Sequence, residues 1–272
     1  MKLNIFINKS CATSGDLKQD NFKVMENGKD VVIDNAYFSG NASGKNLDLA
    51  VVFDDTGSMQ PQIDTMKSKV QDLIDKIKGA GLDARYALVT FKDSTSVKTK
   101  WTKDPEGFKN SVNALEAIGG EDEPEDSLDA IENIISIGFR PDAQKVILVI
   151  TDAHAHSKGD GTAYSNYKKE EVMTDLRDSG VIFIPVSPTF ESSTEFVDLR
   201  EVANEIQSMW IDMNSADFST ILEQFKSIIT GTYVLEYTSP DLTPNTNRNV
   251  VVTIDKPECS EGCTSASYTT KA

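Results

Sequence analysis

The stretch LAVVFDDTGSMQ, Leu49 to Gln60, changes abruptly from apolar to polar residues, and this change indicates the class of fold. Leu49 to Phe53 are five consecutive apolar residues, too few to cross a membrane and typical in length of a strand buried on both faces. Asp54, Thr56 and Ser58 follow at alternate positions in a predicted turn, so one carboxylate and two hydroxyls can face a common point. Oxygen ligands of this kind suit a hard divalent cation.

The middle of the chain, from Leu47 to about Thr230, alternates between predicted strands and helices. Apolar residues at three- and four-residue spacing predict a helix directly after the Asp-rich turn, and they are Ile63, Met66, Val70, Leu73, Ile74 and Ile77. Further strands are predicted at RYALVTF, KVILVIT, VIFIPVS and SMWIDM, and further helices at PEGFKNSVNALEAI, EPEDSLDAIENIISI, KKEEVMTDLRDSG and ADFSTILEQFKSII. This alternation predicts a parallel sheet flanked by helices.

The two ends of the chain have a different pattern, that of short β-strands. NFKVMENGKDVVID places apolar residues around Asn27-Gly28, a strong hairpin signal, and TYVLEYTS and NRNVVVTID alternate with a period of two. Neither end holds enough strands for an independently stable sheet. We therefore predict that residues 1–45 and 232–272 pair into one small β-sandwich that carries an α/β domain of residues 46–231 as an insertion.

Composition excludes several classes of protein. The 43 acidic residues outnumber the 27 basic ones, and the net charge of −16 argues against nucleic-acid binding and against docking on anionic lipid. No apolar segment is long enough to span a membrane. The amino terminus, MKLNIFINKS, has too short an apolar stretch for a signal peptide, so we expect either a cytosolic protein or a mature form whose signal is missing.

Cysteines and glycosylation triplets favour the second of these settings. Cys259 and Cys263 are close in sequence while Cys11 lies near the other end, so three single pairings are open and each leaves one thiol over. Asn8-Lys9-Ser10 and Asn41-Ala42-Ser43 match the acceptor pattern for N-glycosylation. An extracellular or cell-surface location is the expectation.

Acidic residues recur where the predicted parallel strands end. Asp54 follows the first strand, Asp93 follows RYALVTF and Asp152 follows KVILVIT, while the loop GGEDEPEDS adds further carboxylates. In open parallel sheets the functional crevice lies at the carboxyl ends of the strands. Turns and helix starts also favour acidic residues without any metal, but their recurrence at three strand ends favours a cation site.

The motifs DDTGSM and ITDAHAH resemble those of the von Willebrand factor A domain, whose metal-ion-dependent adhesion site uses a D-x-S/T-x-S sequence and a later Asp preceded by Thr. The resemblance covers roughly Leu47 to Thr230. It implies a Rossmann-like fold with Mg²⁺, Mn²⁺ or a similar ion at the top of the sheet. On this match Asp54, Thr56, Ser58 and Asp152 are metal-site residues.

The loop GGEDEPEDSLDAI is more similar to that of the A-type domains of integrin β subunits, which carry a D-x-P-E sequence. This match implies Glu125 as a fifth residue of the primary site, and an adjacent Ca²⁺ site at Asp93, Asp122 and Glu125. Two departures from the pattern argue against further ions. Gly120 stands where the calcium site has a side-chain ligand, and SMQPQI lacks the paired aspartates of a third site.

These features predict a binding module without catalytic activity. A cation held by hydroxyls and few direct carboxylates can accept an acidic group from outside, so the predicted partner is a protein with an exposed Asp or Glu. The chain has no G-x-S-x-G elbow and no P-loop.

Two alternatives come from other classes of protein. His154 and His156, with Asp152 and Asp160 nearby, could bind Zn²⁺ and activate water in a hydrolase. The second alternative is an intracellular A-domain scaffold in a larger assembly.

Overall fold

The structure is a computed structural model, and it describes residues 2–5, 17–38, 46–120, 123–191, 193, 195–206, 208–215, 217–220, 222, 233–241, 243, 247–255 and 263–269. The strands are β1 Lys2–Ile5, β2 Phe22–Glu26, β3 Lys29–Val31, β4 Ile33–Phe38, β5 Asn46–Asp54, β6 Asp83–Phe91, β7 Thr95–Thr102, β8 Gln144–Ile150, β9 Ile182–Ser187, β10 Ile211–Asp212, β11 Tyr233–Tyr237, β12 Asn247–Ile254 and β13 Cys263–Thr269. The helices are α1 Gln60–Gly79, α2 Pro105–Asn113, α3 Ser127–Ser136, α4 Lys169–Ser179 and α5 Leu199–Glu205.

Six strands form the central sheet in the order β10-β9-β8-β5-β6-β7. All neighbouring strands are parallel except β7, which runs antiparallel to β6 at the edge. β5 lies between β6 and β8, and eight of its nine residues are buried. The predicted fold class, a mostly parallel sheet flanked by helices, is confirmed.

Helices cover both faces of this sheet, which explains why its central parallel strands are continuous apolar runs rather than alternating ones. On one face α1 and α2 pack through residues such as Ile63, Met66 and Phe108 against Leu49 and Val51 of β5. On the other face α3, α4 and α5 pack around Ala50, Val52 and their neighbours. Among the described residues no helix is both long enough and apolar enough to cross a bilayer.

The prediction from sequence differs from the structure around two helices. Helix α2 ends at Asn113, not at Ile118, because the backbone from Leu115 onward turns toward the end of β5, where the Ile118 N–H donates to Asp55 O at 3.0 Å. Helix α3 begins at Ser127, not at Glu123, because the main chain of Glu125 pairs with His154 and His156. Both differences result from hydrogen bonds between residues distant in sequence.

Strand β7 was not predicted. Its sequence, TSVKTKWT, alternates Val97, Thr99 and Trp101 with lysines, and this period-two signal marks a half-exposed strand. Of the predicted last helix, residues 218–220 and 222 are helical, and the rest lies outside the described residues. Cys11, Cys259 and both glycosylation triplets also lie outside them.

The two chain ends form two small sheets. One has the order β1-β11-β4 and the other β13-β12-β2-β3, so each combines strands from both ends. The predicted hairpin turn joins β2 to β3, with positive φ angles of 48° at Asn27 and 76° at Gly28. Gly28 tolerates this left-handed conformation because it has no Cβ.

A separate apolar core lies between these sheets. It contains Phe22 and Val24 from the first end of the chain and Leu235, Tyr237 and Val252 from the second. We propose that residues 1–45 and 232–272 constitute one domain and residues 46–231 another, since the core residues of the small sheets come from both ends.

An ionic cluster lies at the bottom of the central sheet, the end at which β5 begins. The fully buried carboxylate of Asp48 on β5 accepts hydrogen bonds from Arg85 Nε at 3.0 Å and Arg140 Nε at 2.8 Å. Arg140 also donates to the carbonyls of Leu47 and Asp83 at 2.8 Å each. Although burial favours protonation of Asp48, the two arginines lower its pKa below the ordinary value. The cluster therefore ties β5, β6 and the segment before β8 together.

Asp48→Ala should lower the free energy of unfolding by about 3–5 kcal/mol, because it leaves two partly buried guanidinium groups without their shared counter-ion. Urea denaturation at neutral pH measures this. Asp83→Ala is the matched control, since the Asp83 side chain is 43% exposed and should cost less than about 1 kcal/mol. Equal losses in the two variants would contradict the assigned role of Asp48.

The proposed domain division predicts that residues 46–231 fold when expressed alone, because both faces of their sheet are covered within this range. Residues 1–45 and 232–272 should each be disordered alone, since every described sheet that they form needs strands of both. Dispersion of amide signals in NMR spectra of the three fragments tests this, and a dispersed spectrum from either end fragment would disprove the division.

Candidate metal centre

The candidate site lies where the strand order of the sheet reverses. The chain goes from β5 to β6 on one side and later to β8 on the other, so loops leaving β5 and β8 diverge and leave a crevice between them. Asp54 ends β5 and Asp152 follows β8 by two residues. Ligands of open α/β sheets bind in crevices of this type.

Asp54 is the fully buried base of the site. Its Oδ1 accepts hydrogen bonds from the Thr56 N–H at 3.0 Å and the Thr56 hydroxyl at 2.6 Å. Its Oδ2 accepts one from the Thr151 hydroxyl at 2.6 Å. Both carboxylate oxygens are thus used to fix the loop after β5 and the loop after β8.

Thr56, Ser58 and Asp152 extend this network outward. The Thr56 and Ser58 hydroxyl oxygens are 3.1 Å apart, and the Ser58 hydroxyl donates to Asp152 Oδ1 at 3.2 Å. Asp54 and Thr56 are buried, whereas Ser58 is exposed and Asp152 is half-buried. The three side chains from the DDTGSM motif and the one from ITDAHAH are therefore brought together, with their outer members open to solvent.

Glu125 reaches the same region from the segment before α3. Its N–H donates to His154 O and its carbonyl accepts from the His156 N–H, both at 2.9 Å, so its main chain is held beside the loop that carries Asp152. A Cβ at Gly120 would lie 3.1 Å from Glu125 Oε1 and 2.9 Å from Thr56 Cγ2. Gly120 has a φ of +90° and lacks a Cβ, so it lets the Glu125 carboxylate and Thr56 approach the same point.

The oxygen atoms present fit a hard divalent cation. Because the Thr56 hydroxyl donates its hydrogen to Asp54, its lone pairs are free to face an ion, and the other groups at the site are hydroxyls and carboxylates. In the described part of the chain, no three His, Cys, Asp or Glu side chains form a metal cage by themselves. An ion held here would therefore depend on the hydroxyls of Thr56 and Ser58.

Lys92 is a site residue that the sequence analysis missed. Its ammonium lies 3.4 Å from Asp55 Oδ1 and donates hydrogen bonds to the carbonyls of Asp55 and Ile118, while its own carbonyl accepts from the Asp126 N–H at 2.8 Å. It therefore connects the loop after β5, the loop after α2 and the start of α3. The one feature of the sequence that could have identified Lys92 is its position directly after β6, because no local pattern predicts its contacts with Asp55, Ile118 and Asp126.

The predicted second site is only partly described. Asp93 lies half-buried in the turn between β6 and β7, and Asp122 lies outside the described residues. Next to Glu125, burial raises the pKa of Asp126 to about 9, with the nearby Asp129 and Glu125 carboxylates acting in the same direction. Asp126 is thus protonated at neutral pH and adds no charge to this part of the site.

The two histidines have separate environments. The buried His156 places Nδ1 2.7 Å from Asp160 Oδ2, and its ring packs against Tyr164 and Phe196. The His154 ring packs on Phe190 with centroids 4.1 Å apart. The contacts of His156 with Asp160 and Tyr164 hold two parts of the loop after β8 together. No described cluster of three ligand-type side chains includes the histidine pair.

Comparison with known proteins agrees with the predicted class of domain. Residues 48–175 match the family model of the von Willebrand factor A domain. The chain is 34% identical over 106 residues to von Willebrand factor A domain-containing protein 7 of Homo sapiens, across 39% of this chain and 12% of that protein. It is 28% identical over 150 residues to the alpha-protein kinase vwkA of Dictyostelium discoideum, across 48% of this chain and 23% of that protein. The chain thus matches less than a quarter of the length of these relatives.

Solved structures support the same fold. Proximal thread matrix protein 1 from the mussel byssus superposes with a TM-score of 0.53 at 19% identity, covering 73% of this chain and 49% of that one. A second structure of that protein, with a zinc-occupied MIDAS motif, gives a TM-score of 0.53 at 19% identity over 74% of this chain and 49% of that one. At this level of identity the likeness shows the fold of the central domain.

The charge of Asp54 depends on burial. Loss of solvent raises its pKa to about 6, and the nearby Asp152 carboxylate adds to the rise, while the hydrogen bonds from Thr151 and Thr56 oppose it. The folded protein without metal therefore binds this proton more tightly than the unfolded chain, whose Asp pKa is close to 3.8. By linkage, this group lowers stability as the pH rises from about 4 to about 6.

Asp54→Asn should therefore stabilise the metal-free protein at pH 7.5, by up to about 3 kcal/mol from a shift of roughly two pKa units. The gain relative to wild type should fall below about 1 kcal/mol near pH 4 and disappear near pH 3, where Asp54 is protonated in both the folded and the unfolded protein. Urea denaturation in the presence of a chelator, between pH 3 and 7.5, measures the difference. A gain that does not vary with pH would contradict the assigned pKa shift.

Proposed function

Because residues 48–175 match the family model of the von Willebrand factor A domain, we propose that the chain is a cation-dependent protein-binding module that recognises an acidic group of its partner. The observation that carries this proposal is a connected set of oxygen-bearing side chains: Thr151 and Thr56 donate to the buried Asp54, Ser58 donates to Asp152, and the Thr56 and Ser58 hydroxyl oxygens lie 3.1 Å apart. The zinc-occupied MIDAS motif of the mussel protein supports a divalent ion at this place.

Five residues would hold the ion, which we propose is Mg²⁺ or Mn²⁺: Asp54, Thr56, Ser58, Glu125 and Asp152. When bound, the cation supplies a positively charged, incompletely filled coordination shell that a carboxylate from a partner can complete. Asp54 orients the Thr56 hydroxyl by accepting its hydrogen. Ser58 and Asp152 form the solvent-facing side, where a partner can approach.

The arrangement favours binding over catalysis. Asp54 uses both carboxylate oxygens to fix hydroxyl groups, and His156 is engaged with Asp160 and packed between aromatic rings. Neither residue is placed as a free general base for an activated water. The relative named as a kinase matches this chain over only 23% of its own length, so its name does not extend to this chain. We propose that the chain has no catalytic activity.

The setting that we propose is extracellular or at the cell surface, as favoured by the glycosylation triplets and the cysteine count. A Ca²⁺ site at Asp93, Asp122 and Glu125 remains a prediction from the resemblance. The partner proposed here is a protein with an exposed Asp or Glu.

Mg²⁺ or Mn²⁺ should raise the free energy of unfolding of the wild type by about 2.7 kcal/mol when the free ion is roughly 100-fold above its dissociation constant. Asp54→Asn should abolish this response while leaving the protein folded, because the variant is expected to be stable without metal. Thermal unfolding with and without each ion measures both quantities.

The matched control for this experiment is Asp64→Asn, which removes the same charge from the exposed face of α1 near the site. It should keep the full metal response. If Asp54→Asn retained the response of the wild type, the metal-site assignment would be wrong. Stabilisation by Zn²⁺ but not by Mg²⁺ or Mn²⁺ would support the site and identify zinc as its ion.

A further inference from the structure

The second aspartate of the DDTGSM motif, Asp55, is not among the candidate metal ligands, although it is only 6% exposed. Its Oδ1 lies 3.4 Å from the Lys92 ammonium and its Oδ2 lies 3.9 Å from the Lys98 ammonium. The Lys92 ammonium also donates hydrogen bonds to the carbonyl oxygens of Asp55, at 3.4 Å, and Ile118. Lys92 thus has three oxygen partners, whereas Lys98 makes no described hydrogen bond.

The contacts of Lys92 hold the loop after α2 against the loop after β5. Two main-chain hydrogen bonds lie alongside them, from the Ile118 N–H to Asp55 O at 3.0 Å and from the Gly57 N–H to Gly119 O at 3.1 Å. A Cβ at Gly119 would lie 3.8 Å from Lys92 Cδ, so the apolar stem of the lysine packs beside this glycine. The Lys92 side chain therefore contributes both an ammonium and packing to the docked loop.

The position of this loop bears directly on the metal centre. A Cβ at Gly120, the next residue of the loop, would lie 2.9 Å from Thr56 Cγ2 and 3.1 Å from Glu125 Oε1. The main chain of Lys92 reaches the same region from the other direction, because its carbonyl accepts from the Asp126 N–H at 2.8 Å, one residue after Glu125. Lys92 is therefore linked to the segments that carry two of the candidate ligands.

We propose that Lys92 is a positioning residue of the metal centre, a tethered cation that docks the loop after α2 on the loop after β5 before the ion binds. This inference rests on the proposed function and adds that the affinity for the ion depends on a residue outside the ligand set. It also assigns a role to Asp55, whose carboxylate and carbonyl both receive the ammonium.

A purely electrostatic role of Lys92 predicts the opposite effect on the ion. Its ammonium repels a cation at the neighbouring centre, so removal of the charge alone would tighten Mg²⁺ binding. A positioning role predicts weaker binding, because part of the metal-free protein would then have an undocked loop and the apparent affinity falls with the docked fraction. The sign of the change in Mg²⁺ affinity separates the two roles.

Lys92→Met removes the ammonium and keeps an apolar stem. Calorimetric titration should give an Mg²⁺ dissociation constant at least about threefold higher than that of the wild type, which corresponds to a docked fraction of about one third or less. In chelator, amide hydrogen exchange at Gly57 and Ile118 should be at least about tenfold faster, because the loop loses a charge-assisted hydrogen bond. Circular dichroism checks that the variant is folded.

Lys98→Met is the matched control, since it removes the same charge from beside the same Asp55 carboxylate. It should leave both exchange rates unchanged and should not weaken Mg²⁺ binding, because Lys98 makes no described hydrogen bond to the docked loop.

Chemical rescue provides a second test. Lys92 lines an open groove of about 370 Å³ and its side chain is 29% exposed, so a small molecule can reach the space that Lys92→Ala leaves. Propylammonium has the atoms that this substitution removes, and it should restore slow exchange at Ile118 and the Mg²⁺ affinity. Propanol has the same carbon chain without the charge and should restore neither. Restoration by both molecules, or by neither, would contradict a role for the ammonium.

The outcomes separate this inference from the function on which it rests. If the wild type binds Mg²⁺ and Lys92→Met binds it at least as tightly, the positioning role is wrong and the metal-dependent function stands. Equal losses of affinity in Lys92→Met and Lys98→Met would reduce the effect to charge and also overturn the role. If the wild type binds neither Mg²⁺, Mn²⁺ nor Zn²⁺, the proposed function itself fails.

Discussion

The carboxylate of Asp54 is fully buried at the end of the central strand, where it accepts hydrogen bonds from three donors on two different loops. A buried charge without partners is strongly unfavourable, so the loops after β5 and β8 must present donors to it. The result is that Thr56, Ser58 and Asp152 are held next to one another before any ligand arrives. The raised pKa of Asp54 shows that these hydrogen bonds do not offset the whole cost of burial.

The central strand thus carries a buried carboxylate near each end, and the two have different consequences. Near its start, Asp48 faces two arginines that neutralise it, and the cluster stabilises the packing of three chain segments. At its end, Asp54 is surrounded by hydroxyl groups and faces no arginine or lysine among its described contacts. Charge is therefore balanced at the bottom of the sheet and unbalanced at the top. That imbalance supports the proposed cation site at the top.

Lys92 illustrates how the top of the sheet is held without a metal ion. Its ammonium lies among a carboxylate and two carbonyl oxygens, which are groups of the kind that a hard cation also attracts. By contacting three loops it fixes the segment that leads to Glu125. The loops of this site therefore have a permanent internal cation, the Lys92 ammonium, beside the place where we propose that an exchangeable cation binds. The arrangement is consistent with a site that is largely preformed.

The sequence by itself determined the parallel α/β class and the two β-type ends and predicted the residues proposed for the metal site, because these depend on patterns within short stretches. Continuous apolar runs mark strands covered on both faces, and the spacing in DDTGSM places three oxygens on one loop. The tertiary structure alone decided the strand order, the early end of α2, the late start of α3 and the role of Lys92. Each of these depends on hydrogen bonds or ion pairs between segments far apart in the chain, and no local pattern of residue types encodes such pairings.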